Sequence, residues 1–96
     1  MSFVLVAKWT AKAGEEQRVQ DALARLAGPS RAEPGCRFYK PCRDTEDPRV
    51  FLIFEIYDDA AALEAHAASE HFQRIAAGEA FDLLESRERS FYETLD

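Results

Sequence analysis

A chain of 96 residues, 47% of them hydrophobic and 31% charged, has the composition of one small globular domain, residues 1–96, and not of a disordered segment. Its net charge of −6 argues against the basic surface that nucleic-acid binding needs. The segment MSFVLVAKW lacks the regions of a signal peptide, and no apolar run is long enough to cross a bilayer. We therefore expect a cytoplasmic protein that binds neither nucleic acid nor membrane.

The first two predicted elements are a strand and an amphipathic helix. Apolar residues dominate the strand Phe3–Trp9. From Gly14 a helix is predicted by an apolar stripe at positions i, i+3, i+4 and i+7, formed by Val19, Ala22, Leu23 and Leu26. The dipeptide Gly28-Pro29 is expected to weaken the end of this helix.

Two strands joined by a hairpin follow. CRFYKPCR is predicted as the second strand, and Pro41 within it cannot donate a ladder hydrogen bond, which predicts a position at the sheet edge. The polar loop Asp44–Pro48 leads into Val50–Tyr57, a third strand that is almost continuously apolar.

The C-terminal part of the chain is predicted as helical and then extended. Asp58 or Asp59 can cap a helix that runs through AALEAHA. We expect this helix to break near Ser69 and to resume through HFQRIAAGEAFDLL. Ser86–Leu95 alternates loosely and predicts a fourth strand.

The order β-α-β-β-α-β predicts an α+β, ferredoxin-like fold, with one antiparallel sheet and helices on one face. Right-handed crossovers place the first and third strands in the centre. The third strand is apolar on both faces, since Leu52 and Phe54 point one way and Phe51 and Ile53 the other. Because the helices can cover only one face, we predict a homodimer in which two sheets pack face to face; the alternative is a monomer with an exposed apolar face.

The two cysteines, Cys36 and Cys42, are expected to be free thiols. On one straight strand they would share a face but lie roughly 20 Å apart, at ~3.3 Å per residue, which is too far for a disulfide. Two cysteines and two separated histidines also form no zinc-binding pattern, so no metal site is predicted.

Three segments carry a resemblance to a known family: AKAGEEQ, SRAEPGCRFY and VFLIFEIYDDAAALEAHAASEHF. Over nearly its whole length the chain resembles the antibiotic biosynthesis monooxygenase domain family of dimeric α+β-barrel proteins. The resemblance implies a ferredoxin-like dimer with a pocket between sheet and helices in each protomer. Some members of that family oxidise phenols or quinols with molecular oxygen and no cofactor, others degrade haem, and others isomerise a phosphorylated sugar.

The haem-degrading branch of that family differs from this sequence at two positions. It has an asparagine where this chain has Ala7 and a tryptophan where His66 stands. Both differences argue against haem, and we expect no cofactor.

His66 is the predicted catalytic residue. It shares a helix stripe with Leu63 that should face the sheet, where burial can bring the imidazole pKa into a useful range. As a general base it would remove a phenolic proton, and the resulting aryl anion could reduce oxygen without flavin or metal. The alternative is a structural histidine bonded to a neighbouring side chain.

Glu55 is an acid within an apolar strand, so it should have a partner. The candidates are His66, or a cation on a neighbouring strand such as Arg37 or Lys8. We expect the pairing to be structural, with Glu55 also among the substrate-binding residues.

Four further residues are predicted to contact a substrate. Trp9 and Tyr39 could stack on a flat ring, although either could equally be core, and for Trp9 a core position is the first expectation. His71 is expected to be solvated or at the pocket rim, next to Phe72. The substrate that these residues favour is a small aromatic.

The sequence thus predicts a cofactor-independent monooxygenase acting on a quinol or phenol. The alternative is a non-oxidative isomerase or a ligand-binding protein that uses the same pocket. A phosphorylated substrate would need convergent cations or a glycine-rich loop, and the cations considered, from Lys8 to Arg43, are dispersed in sequence.

Overall fold

The computed structural model describes residues 1–96. The strands are β1 (Phe3–Ala11), β2 (Cys36–Arg43), β3 (Val50–Tyr57) and β4 (Leu84–Glu93), and the main helices are α1 (Glu16–Arg31) and α2 (Ala60–Ala68). A π-helical turn (Phe72–Ala77) and a 3₁₀ turn (Ala80–Leu83) connect α2 to β4. The element order is the predicted one.

The four strands form a single antiparallel sheet in the order β2-β3-β1-β4. This confirms that β1 and β3 are central and that β2, which contains Pro41, lies at an edge. All the helices lie on one face of the sheet, so the fold is α+β and ferredoxin-like, as expected.

Helix α1 buries its predicted stripe but ends later than the sequence indicated. Val19, Ala22, Leu23 and Leu26 are all buried. The helix continues through Pro29 to Arg31, because a proline in the last turn removes only one backbone hydrogen bond near an exposed end. Neither this helix nor any other has the length and apolar character needed to span a membrane.

Helix α2 begins and ends at hydrogen-bonded side chains. The Asp59 carboxylate accepts a hydrogen bond from the backbone N–H of Ala62 at the start of the helix. At the end, the Ser69 hydroxyl donates to the carbonyl of His66 and accepts from the N–H of Phe72. The predicted break near Ser69 is confirmed, although two short turns follow it and not one resumed helix.

The sheet has two very different faces. The face under the helices carries the central core, which includes Leu5, Trp9 and Ile53. The opposite face remains open, with Phe38 45% and Leu52 37% exposed. The third strand is therefore apolar on both sides, as predicted, and nothing within the chain covers the outer side.

The two cysteines are free, but the expectation that they share a face is wrong. The strand pairing shifts register between Cys36 and Phe38. As a result Cys36 lies opposite Tyr57 and Cys42 opposite Leu52, whose side chains point to different faces of β3. A bulge resets the alternation of side chains along a strand, and nothing in the sequence marked this one.

Candidate functional site

A cavity of about 270 Å³ lies between the helix-covered face of the sheet and the helical segments. Of its 17 lining residues, 12 are hydrophobic, which makes it a mainly apolar chamber with a few polar groups. The lining includes five of the six residues that the sequence analysis singled out, namely Trp9, Tyr39, Glu55, His66 and Phe72. The sixth, His71, is not part of the cavity wall.

His66 sits on α2 with its ring between the cavity and a carboxylate. The side chain is 3% exposed, its Nδ1 lies 2.8 Å from Glu33 Oε2, and its Nε2 lies 3.8 Å from Glu55 Oε1. Because a carboxylate accepts hydrogen bonds, we assign the ring proton to Nδ1, which leaves a lone pair on Nε2. The unprotonated nitrogen is thus the one on the Glu55 side of the ring.

The protonation state of His66 follows from its surroundings. Burial lowers the imidazole pKa below its ordinary value, while the hydrogen bond to Glu33 acts in the opposite direction. The ring is therefore neutral at pH 7. Three aromatic rings hold its orientation, with centroids at 5.7, 5.4 and 5.2 Å, from Tyr39, Tyr57 and Phe72.

Glu55 is buried on β3, between Leu5 of β1 and Tyr39 of β2. Its Oε1 accepts a hydrogen bond of 2.6 Å from the Tyr57 hydroxyl. Burial raises the pKa of Glu55 to about 7, despite that hydrogen bond. A carboxyl group with this pKa exchanges a proton near neutral pH, which is the range useful for acid–base chemistry.

Neither of the two cations suggested as partners of Glu55 forms an ion pair with it. Arg37 pairs instead with Asp58. Lys8 lies opposite Leu52 and so belongs to the outer face of the sheet. The imidazole alternative is the one that the structure retains, with His66 at 3.8 Å.

Glu33 is a site residue that the sequence analysis missed. Its Oε2 contacts Nδ1 of His66 and, at 2.5 Å, Nε2 of His71. Gly35 allows this approach, because a Cβ added there would lie 2.6 Å from Cβ of Ala62 on α2. An acid in the turn between α1 and β2 shows no periodicity, so only the packing of that turn on α2 reveals it.

The environment of His71 differs in part from the prediction. Of the two predicted environments, solvated or at the pocket rim, the first does not fit, because the side chain is only 15% exposed and is held by Glu33. The structure therefore gathers Glu33 and both histidines of the chain into one cluster, whose potential ligand atoms all lie within 4.8 Å of one another. The sequence did not predict this cluster, because Glu33 is 33 residues away from His66 along the chain.

Two arginines on β4 were also missed. Arg87 and Arg89 pair with Trp9 and Ala7, which places them on the cavity face of the sheet. The Arg87 guanidinium stacks on Phe81 at 3.7 Å, and neither arginine forms an ion pair. The alternation R-x-R in β4 was a signal that could have revealed them.

Comparisons with known proteins agree with this architecture. The family model described as "Antibiotic biosynthesis monooxygenase" matches residues 2–78. The crystal structure of PA3566 from Pseudomonas aeruginosa is 36% identical, with a TM-score of 0.90 over 99% of this chain and 95% of that one. The protein SO0527 from Shewanella oneidensis is 29% identical, with a TM-score of 0.90 over 97% of this chain and 90% of that one.

A curated relative from Synechocystis, the uncharacterized protein sll1783, is 41% identical over 44 residues. That match spans 46% of this chain and only 30% of the Synechocystis protein. The agreement therefore concerns one segment of a longer relative.

Proposed function

Since the chain belongs to the antibiotic biosynthesis monooxygenase family, we propose that its cavity binds a small phenol or quinol, from which His66 removes the phenolic proton before molecular oxygen attacks the ring. The observation that carries this proposal is the orientation of His66. Glu33 holds Nδ1 at 2.8 Å, and the basic Nε2 is left on the side of the buried Glu55. A carboxylate behind a neutral imidazole is the usual arrangement of a general base.

The proposed reaction balances without a further reductant. His66 takes the phenolic proton, and the phenolate passes one electron to oxygen. The resulting radical pair forms a C–O bond, and the peroxide accepts a proton from the imidazolium. Cleavage of the O–O bond with loss of the ring hydrogen then releases water, so that phenol and O₂ give quinone and H₂O.

The cavity has suitable size and electrostatics for such a substrate. A cavity of about 150 Å³ is enough for benzene, and this one, at about 270 Å³, leaves room for ring substituents. Apolar walls exclude water, while Arg87 and Arg89 offer positive charge to a phenolate. Glu55, whose pKa is about 7, could exchange protons with the same ring.

We also propose that the open sheet face is the interface of a homodimer. Phe38 and Leu52 are exposed there, and Phe54 is half-buried beside them with its ring 5.8 Å from that of Phe38. A second copy of the same sheet would cover these side chains and complete the barrel that the family resemblance implies.

Oxygen uptake with a panel of phenols and quinols tests the enzymatic proposal. We expect one O₂ consumed per substrate, and a His66→Gln variant should lower kcat by about 10²-fold or more, the scale for losing a general base. Glu70→Gln, an exposed change outside the cavity, is the matched control and should keep the wild-type rate.

Two results would contradict the proposal. Equal rates in wild type and His66→Gln would mean that the imidazole is not the base. Ligand binding without oxygen consumption, measured by calorimetry on the same panel, would favour the alternative of a non-oxidative isomerase or a binding protein. In an isomerase or a binding protein, Arg87 and Arg89 would bind an anionic group of the ligand.

A further inference from the structure

We propose that Glu33, His66 and His71 form a binding site for a divalent transition-metal ion of the zinc class, on the side of the His66 ring away from Glu55. This metal triad lies behind the proposed base and outside the cavity wall except for His66 itself. Metal binding at the triad does not depend on the oxygenase proposal, whereas its effect on turnover does.

The distances within the triad need little change to hold an ion. Glu33 Oε2 is 2.8 Å from Nδ1 of His66 and 2.5 Å from Nε2 of His71, and all three ligand atoms lie within 4.8 Å of one another. With metal–ligand bonds of about 2.1 Å, the ligand atoms of a tetrahedral site stand about 3.4 Å apart. The two distances from Glu33 Oε2 to the histidine nitrogens must therefore increase by about 1 Å or less. The distance between the two histidine nitrogens must decrease by no more than about 1.5 Å.

Glu33 and His71 lie in segments that can shift by these distances. His66 is fixed by α2 and by its aromatic neighbours, whereas Glu33 lies in the turn after α1 and His71 in the turn after α2. Exposed fractions of 14% for Glu33 and 15% for His71 leave the triad open on one side, where water could complete the coordination. Three protein ligands with an open position are typical of catalytic zinc sites.

The chemistry of the donors selects the class of ion. Two imidazoles and one carboxylate suit zinc and its first-row neighbours, whereas calcium and magnesium prefer oxygen ligands alone. No lysine or arginine forms an ion pair with Glu33, so its charge is available to the metal. Glu55 lies 3.8 Å from the far nitrogen of His66, beyond hydrogen-bond distance but on the side from which a carboxylate orients a metal-bound histidine.

Metal binding would reverse the roles of the two His66 nitrogens. In the metal-free protein the proton is on Nδ1 and the lone pair on Nε2. A metal on Nδ1 displaces that proton, and the neutral ring then carries one on Nε2, facing Glu55. The imidazole thereby becomes a hydrogen-bond donor toward Glu55 and can no longer remove a proton from a phenol, so we expect zinc to inhibit turnover.

Calorimetric titration of chelator-treated protein with Zn²⁺ tests the site directly. We expect one ion per chain, and Glu33→Gln or His71→Gln should weaken binding at least about 10-fold. Glu70→Gln and a double Cys→Ser variant are the controls and should bind as the wild type does. Circular dichroism of each variant shows that it is folded. Absence of binding by the wild type, or binding that depends on the thiols and not on Glu33, would overturn the proposal.

Long-range ¹H–¹⁵N NMR of the imidazoles provides the second measurement, and it is simple because the chain has only two histidines. The His66 proton should move from Nδ1 to Nε2 on addition of zinc. An unchanged tautomer in the zinc-bound protein would refute coordination by His66. Calorimetry and NMR are both independent of turnover. A wild type that consumes no oxygen would refute the oxygenase proposal, and the same two measurements would still test the metal site.

Discussion

Replacing Glu55 with glutamine should stabilise the protein at neutral and higher pH and have little effect in acid. Burial raises the pKa of Glu55 from an ordinary 4.5 to about 7. Between these values the folded state holds a proton that the unfolded state has released, so the free energy of unfolding falls as pH rises. The destabilisation that comes from burying the ionised carboxylate is absent below about pH 4.5 and fully present above about pH 7.

The size of the effect follows from the shift. A difference of about 2.5 pKa units corresponds to about 3 kcal/mol above neutral pH. Near pH 5.5 it corresponds to only about 1 kcal/mol, because the folded protein still holds the Glu55 proton that the unfolded chain has mostly released. Glutamine avoids this cost because it is uncharged. Its oxygen can still accept from the Tyr57 hydroxyl, and its amide can donate to Nε2 of His66.

Urea unfolding of wild type and Glu55→Gln, at one protein concentration and a series of pH values, measures the difference. His66 has a lowered pKa and so favours the folded state as pH rises, but it is present in both proteins and cancels in the comparison. The positive charge of Arg89 and the negative charge of Glu33 near Glu55 also remain. Two stability curves that stay parallel from acid to pH 8 would show that Glu55 titrates normally and that its burial has no such cost.

Three further substitutions test the fold and the assembly. Leu52→Asp on the open sheet face should convert the proposed dimer to monomer in sedimentation, whereas Leu95→Asp, at a fully exposed position, should not. Gly35→Ala should cost about 1–3 kcal/mol in urea unfolding, because its Cβ would overlap a side chain of α2, while Gly28→Ala, with open space around it, should be neutral or stabilising. Changing both cysteines to serine should leave the melting temperature and any turnover near wild type, and lost turnover in a folded protein would reveal a thiol mechanism.

The sequence alone determined the fold and identified five of the 17 residues that line the cavity. Hydrophobic periodicity is local, so the stripe of α1, the apolar run of β3 and the proline at the β2 edge could be read from the chain. Alternation along strands also placed Glu55 and Tyr57 on one face of β3. Because β3 is apolar on both faces, the sequence left open which face the helices cover, and the structure places Trp9 and Glu55 under them.

Tertiary structure decided which polar groups meet. Glu33 is separated from His66 by 33 residues, and only the close packing of Gly35 on α2 brings the two into contact. Likewise Arg87 and Arg89 line the cavity because β4 pairs with β1 in a register that sets them opposite Trp9 and Ala7, and tertiary packing decides that register. Local periodicity says which side of an element is apolar, but the partner of a buried charge depends on chain segments that become neighbours only when the protein folds.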